Sequence, residues 1–305
     1  MPVAKAVYSP ALEIFRGKKA NFPDLRGGTQ ISMTEFRRIA FIGNHPPRMC
    51  GIATFTDSLR RAVSKDDANI DTFVVAMTET GVEYEYPREV LFDIREDMIG
   101  DYAPAAEFLN SADVDVVSLQ HEYGIFGGEA GGNIVRLLSR LKTPIVTTLH
   151  TVLAEPTLKQ RTVMDQLVRH SAKIVVMAEK GRELLRSVHD VPAHMIEVIP
   201  HGVPDHPFLD STCGKAKFGL EGKNVILTFG LLSPNKGIET TIDAMPRIIR
   251  ACPNTVFVVL GATHPNLLRH QGETYRDNLT VRVCELGLDD HVRFFNQFVG
   301  LNELL

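Results

Sequence analysis

The chain has 305 residues, 44% of them hydrophobic and 23% charged, enough to bury two cores of ordinary domain size. A formal charge of −4 gives no global basic field, which argues against extended nucleic-acid binding and leaves room only for a local polyanion site. Cys50, Cys213, Cys252 and Cys284 lie far apart without a CxxC pair, which disfavours a zinc site or a disulfide framework and fits a reducing cytoplasm.

Residues 1–37 mix Pro, Gly, Lys and Arg without steady periodicity and read as a leader. They lack a signal-peptide core, and no apolar run in the chain reaches the roughly 20 residues that span a bilayer, so the expected location is cytoplasmic. From Arg38 a regular alternation begins. "RIAFIG" (38–43) is a short apolar run, and "GIATFTDSLRRAV" then places Ile52, Phe55, Leu59 and Val63 on one helical face.

The pattern recurs. "DTFVVAM" (71–77), "VDVVSLQ" (114–120), "TPIVTTLH" (143–150), "AKIVVMA" (172–178) and "IEVIP" (196–200) are continuous, β-branched runs expected to be buried strands. Helical stretches such as "NIVRLLSRL" and "EKGRELLRSV" separate them, which predicts an α/β domain with a parallel sheet covered on both faces, spanning 38–203. Pro200, Gly202, Pro204 and Pro207 interrupt any element and mark a domain boundary.

In 204–305 the alternation restarts: a strand expected to be buried at 225–229, a helix at 237–251, a strand at 255–261, a helix near 274–286 and a strand at 291–295. "GLNELL" then opens another helix. Three strands and two full helices are thin for an independent doubly wound domain, so this second domain is expected to be incomplete, either with its sheet completed elsewhere or from a C-terminally truncated chain.

In open parallel sheets ligands bind beyond the carboxyl ends of the strands. After the first strand, "NHPPRMCGIATF" offers Gly51 where the helix begins, either to admit a ligand or to meet a local steric demand. "QHEYGIFGGEAGG" puts His121 and Glu122 at the mouth of a glycine-rich loop; "TLHTV" puts His150 at the end of the next strand. Two imidazoles converging on one crevice can donate to hydroxyls or to developing charge, although structural roles would also explain them. No third ligand is placed by spacing, so no metal site is expected. GxSxG, Walker A and GxGxxG patterns are absent, which removes the usual hydrolase, kinase and dehydrogenase readings. "FGLLSPNKG" (229–237) joins a strand to a helix with Gly230, Ser233 and Lys236 in the loop, an outline of a diphosphate site or a plain connector.

"IPHGVPD", "FGLLSPNKGIETTIDAM", "VVLGATHP" and "LGLDDHVRFFNQFVGLNELL" resemble, in order and spacing, the retaining nucleotide-sugar glycosyltransferases of the group 1 superfamily. The resemblance covers roughly 38–305. It implies a GT-B fold of two Rossmann-like domains, an acceptor in the N-terminal one and a nucleotide-sugar donor in the C-terminal one. It places the donor diphosphate at Gly230, Ser233 and Lys236, the nucleotide near Gly261, and the base near Asn296, Gln297 and Phe298. Gly51, His121 and Glu122 would border the acceptor and His150 the transferred sugar, with Lys236 assisting loss of the nucleoside diphosphate. No cofactor or metal is implied. The partners implied are the nucleotide-sugar donor and a saccharide or lipid-linked acceptor, with peripheral membrane association open and no nucleic acid. Leu231 stands where the family usually has arginine, and the family's acidic donor-binding motif falls beyond Leu305. A non-catalytic fragment, a sugar-nucleotide epimerase and a glycan phosphorylase are the alternatives.

Overall fold

The structure, a computed structural model, describes residues 36–203, 207 and 210–299. Residues 1–35 of the expected leader, most of the proline-rich junction and the terminal "GLNELL" lie outside them. The chain falls into two compact units, Met1–Asp205 and His206–Leu305.

The first unit runs β1 (Arg38–Gly43), α1 (Gly51–Asp66), β2 (Asp71–Thr78), β3 (Val90–Arg95), α2 (Tyr102–Ser111), β4 (Val116–His121), α3 (Ile134–Leu138), β5 (Ile145–Leu149), α4 (Leu158–His170), β6 (Lys173–Val176), α5 (Glu179–His189) and β7 (Ile196–Val198). Its seven strands form one sheet in the order β3-β2-β1-β4-β5-β6-β7, all parallel. The order reverses between β1 and β4, and the loops leaving those strands flank the resulting crevice.

Burial on both faces explains the continuous apolar strands. Ile42, Val75 and Leu119 enter one core with Tyr102, Leu109 and Leu137; Phe41, Val74 and Val116 enter the other with Leu59 and Val63. β3 and α2 were not anticipated, which makes seven strands rather than six. α1 also departs from expectation: Ala53, Thr56, Leu59, Ala62 and Val63 are its buried residues, whereas Ile52 and Phe55 are half-buried.

The second unit contains α6 (Ser211–Lys217), β8 (Asn224–Phe229), α7 (Ile238–Ala251), β9 (Thr255–Leu260), α8 (Pro265–Gln271), α9 (Thr274–Glu285) and β10 (Val292–Phe295). The strands form a parallel sheet in the order β10-β9-β8. One face packs Phe257 and Val259 on Ile238, Ile242, Met245, Leu279 and Val283. The other buries Val256 and Val258 with Leu220. β8 is not the buried strand expected from its sequence: at the sheet edge, Leu227 and Phe229 are 48% and 55% exposed.

Candidate functional site

In the first unit, the β1–α1 loop is tied down by charge. Arg48 donates to Asn44 Oδ1 at 3.1 Å, to the Met77 carbonyl at 3.2 Å and to the Glu96 carboxylate at 3.2 Å, and it lies 3.5 Å from Glu79. Burial pushes the Glu96 carboxyl up, with Arg48 opposing. Cys50 caps α1: its Sγ accepts from Ala53 N at 3.3 Å and from Asn44 Nδ2 at 3.2 Å. Gly51 opens the helix with clear space where a Cβ would be, so no local contact demands glycine there.

At the ends of β4 and β5 the two histidines differ. His150 N donates to the His121 carbonyl at 3.0 Å, so the backbones are adjacent. The His150 ring is half-buried, and its Nε2 lies 3.2 Å from Gln120 Oε1. Phe55 meets the ring edge-on at 4.8 Å between centroids, and the same phenyl meets His201 at 5.3 Å. Burial holds the His150 imidazole down to about 4, and His201 adds to this, so the ring is neutral at physiological pH.

His121 is fully buried, which corrects its expected place at the acceptor mouth. The Phe126 ring, from its own glycine loop, stacks on it at 5.7 Å and Tyr123 packs edge-on at 5.2 Å, so no ligand can touch the imidazole in this conformation. Neither ring nitrogen has a hydrogen-bond partner, and burial first, then His150, holds the group down to about 3. Glu122 is a bracket rather than a loose carboxylate: Oε1 accepts from Tyr123 N at 2.9 Å and Oε2 from the Thr151 hydroxyl, joining the loops after β4 and β5.

Among the described residues, His45, Asp57 and Glu89 hold the one cluster of potential metal ligands. Arg60 already donates to Asp57 at 3.1 Å and to Glu89 at 2.9 Å, so a guanidinium supplies the balancing charge.

In the second unit the expected donor residues gather at the carboxyl ends of the strands. Gly230 N donates to the Leu260 carbonyl at 3.0 Å, and Gly261 N donates to the Phe295 carbonyl at 2.9 Å, which sets Gly230, Gly261 and Asn296 side by side. Asn296, Gln297 and Phe298 are exposed just beyond β10. Ser233 precedes a single 3-10 turn, Pro234–Lys236, and its hydroxyl donates to Asn235 Oδ1. Lys236 is exposed, and its ammonium makes no ion pair or hydrogen bond among the described residues. Gly237 adopts φ 60° to turn the chain into α7 and has no side chain to cap its first turn. Thr240 N already donates to the Gly237 carbonyl at 3.1 Å, and the Ile238 backbone bonds the Tyr275 hydroxyl, so what this loop offers an anion is one cation and the positive end of the α7 dipole.

Residues 49–206, just over half of the chain, match the family model for Glycosyltransferase Family 4, and residues 214–302 match that for Glycosyl transferases group 1. The chain belongs to the group 1 glycosyltransferases. A D-inositol 3-phosphate glycosyltransferase of Segniliparus rotundus is 30% identical over 169 residues, covering 51% of this chain and 37% of that protein. An alpha-D-kanosaminyltransferase of Streptomyces kanamyceticus is 24% identical over 190 residues, covering 55% and 48%. The chain thus spans less than half the length of these relatives. The structure of Anabaena HepE in complex with UDP superposes with a TM-score of 0.56 at 15% identity over 88% of this chain and 71% of that one, which shows a shared GT-B fold. No helix among the described residues is long and apolar enough to cross a membrane.

Sequence reasoning passed over Arg48, Phe55, Gln120, Thr151 and His201 as site residues. Gln120 did carry a signal: Ser118 and Gln120 are polar residues two apart on an otherwise apolar strand, hence on one face of it.

Proposed function

We propose that this chain binds a nucleoside-diphosphate sugar through its second unit and transfers the sugar, with retention at the anomeric carbon, to a hydroxyl of a saccharide or lipid-linked acceptor. The observation that carries the reading is the unpaired Lys236 ammonium one residue before the turn into helix α7. The family membership and the sugar-transferring relatives support it. In this reading the bond from the anomeric carbon to the phosphate oxygen breaks, and its electrons stay with the diphosphate. Lys236 and the positive end of the α7 dipole neutralise that charge. The acceptor oxygen attacks from the face the phosphate has left, and its proton passes to a phosphate oxygen.

His150 sits near the transferred sugar as a neutral hydrogen-bonding group. Gly261 and residues 296–298 approach the nucleotide, while Gly51 and Glu122 border the acceptor. The reaction needs no cofactor or metal and takes place in the cytoplasm, where a lipid-linked acceptor would bring the protein to a membrane surface.

Titration calorimetry with UDP and GDP, followed by turnover of UDP-glucose and GDP-mannose across a panel of acceptors, tests the reading. Saturable binding of one nucleotide and transfer from the matching donor are expected. If neither nucleotide binds, the reading fails.

A further inference from the structure

A neutral imidazole can face a hydroxyl in two ways, as donor or as acceptor, and which one depends on where its single N–H lies. In this protein that choice is made on strand β4. Ser118 and Gln120 are 1% and 0% exposed, and a buried amide is costly unless both of its ends are satisfied. Gln120 Nε2 donates to Ser118 Oγ at 3.0 Å. That contact turns Gln120 Oε1 toward His150 Nε2, 3.2 Å away. An amide oxygen only accepts, so His150 Nε2 must carry the hydrogen. Nδ1 then keeps a lone pair, and it makes no hydrogen bond among the described residues.

We propose that Ser118 and Gln120 are a positioning pair that locks His150 in its Nε2–H tautomer, so that the histidine presents Nδ1 as a bare acceptor to a sugar hydroxyl. The hydroxyl is the donor sugar's or the acceptor's, and that part rests on the transferase reading; the locked tautomer does not. A hydroxyl that gives its hydrogen to Nδ1 has its oxygen fixed in place, which selects one orientation of the sugar ring. Phe55 holds the imidazole plane from the side, leaving the amide to set the tautomer.

Long-range proton–nitrogen correlation spectra of the 15N-labelled chain at pH 7 test this, with His150 assigned by the signals lost in His150→Asn. Nε2 is expected at a protonated shift and Nδ1 at an unprotonated one. An Nδ1–H ring, which an inverted Gln120 amide would enforce, or a doubly protonated ring overturns the proposal. In Ser118→Ala the amide loses its anchor, and both nitrogens should move to the averaged shifts of a tautomer mixture. Gln120→Met should do the same, and the smaller Ser118→Ala change guards against failure of Gln120→Met to fold. If both folded variants keep a pure Nε2–H ring, the pair does not set the tautomer. A locked tautomer in a chain that binds neither UDP nor GDP would leave this proposal standing while the transferase reading fell.

Discussion

Gly261 lies directly against the backbone of Gly230: a Cβ added at residue 261 would sit 1.9 Å from the Gly230 carbonyl oxygen. The missing side chain at Gly261 thus lets the ends of β8 and β9 close on each other at the expected diphosphate site, whereas Gly230 has open space at its own Cβ position. Gly261→Ala must push the two strand ends apart, at a cost of about 1–3 kcal/mol from overpacking. Urea unfolding should show that loss, and nucleotide affinity should fall with it. An unchanged midpoint would mean that the loop after β8 yields freely.

Lys236→Ala removes the cation from the same loop without disturbing the core, because the side chain is exposed and unpaired. Loss of one charge-assisted contact to a diphosphate should weaken nucleotide binding by about 1.5–3 kcal/mol, with melting temperature unchanged. Calorimetry on both proteins with the nucleotide that binds the wild type measures this. Equal affinities would remove Lys236 from the diphosphate site.

Arg48 stands between two buried carboxylates, so truncating it leaves Glu96 without its cation, while Glu79 keeps the Tyr84 hydroxyl. Arg48→Met should destabilise the first unit by about 3–5 kcal/mol. The double change Arg48→Met with Glu96→Gln should recover part of the loss, since the stranded charge is what costs most. Denaturant curves of the three proteins decide this; no recovery in the double variant would point to lost packing instead.

Burial holds His121 down to about 3 and His150 to about 4, against 6.5 for an unperturbed histidine. Between those values and 6.5 the unfolded chain binds protons that the folded chain does not, so stability falls as pH drops below about 6.5 and the loss is complete near 3 to 4. His121→Phe removes one of these groups along with two unpartnered ring nitrogens. Its melting temperature should decline less between pH 7 and 5 than the wild type's, and it should be at least as stable at pH 8. A parallel decline would show that His121 is not buried as a neutral ring.

Much of this architecture can be read from residue order, and the exceptions have physical reasons. Runs such as "FVVAM" and "IVTTL" announce themselves because parallel strands are apolar on both faces. β3, "VLFDIR", carries Asp93 and Arg95 because it lies at the sheet edge, so its pattern resembles a loop. α2, "YAPAAEFLNS", buries Ala105 and Ala106, whose small side chains give a faint periodic signal. The placing of these loops at the carboxyl ends of the strands was legible, since topology fixes where they lie. The cover over His121 was not, because Phe126 reaches it only through the fold of a glycine loop. Arg48 was missed for a related reason: its partners Glu79 and Glu96 come from two other loops.

That β8 has no strand beside it on one flank among the described residues has a practical consequence for handling the protein. An outer strand that shows Leu227 and Phe229 to water, with no charged side chain between them, is a ready template for another copy to extend. Concentration rather than heat should then set the limit on keeping the protein dispersed: turbidity should rise steeply with protein concentration at temperatures well below melting. A lysine at residue 227, Leu227→Lys, should clear it by placing a gatekeeper charge on that rim, and equal turbidity in both proteins would show that the strand is not where copies stick.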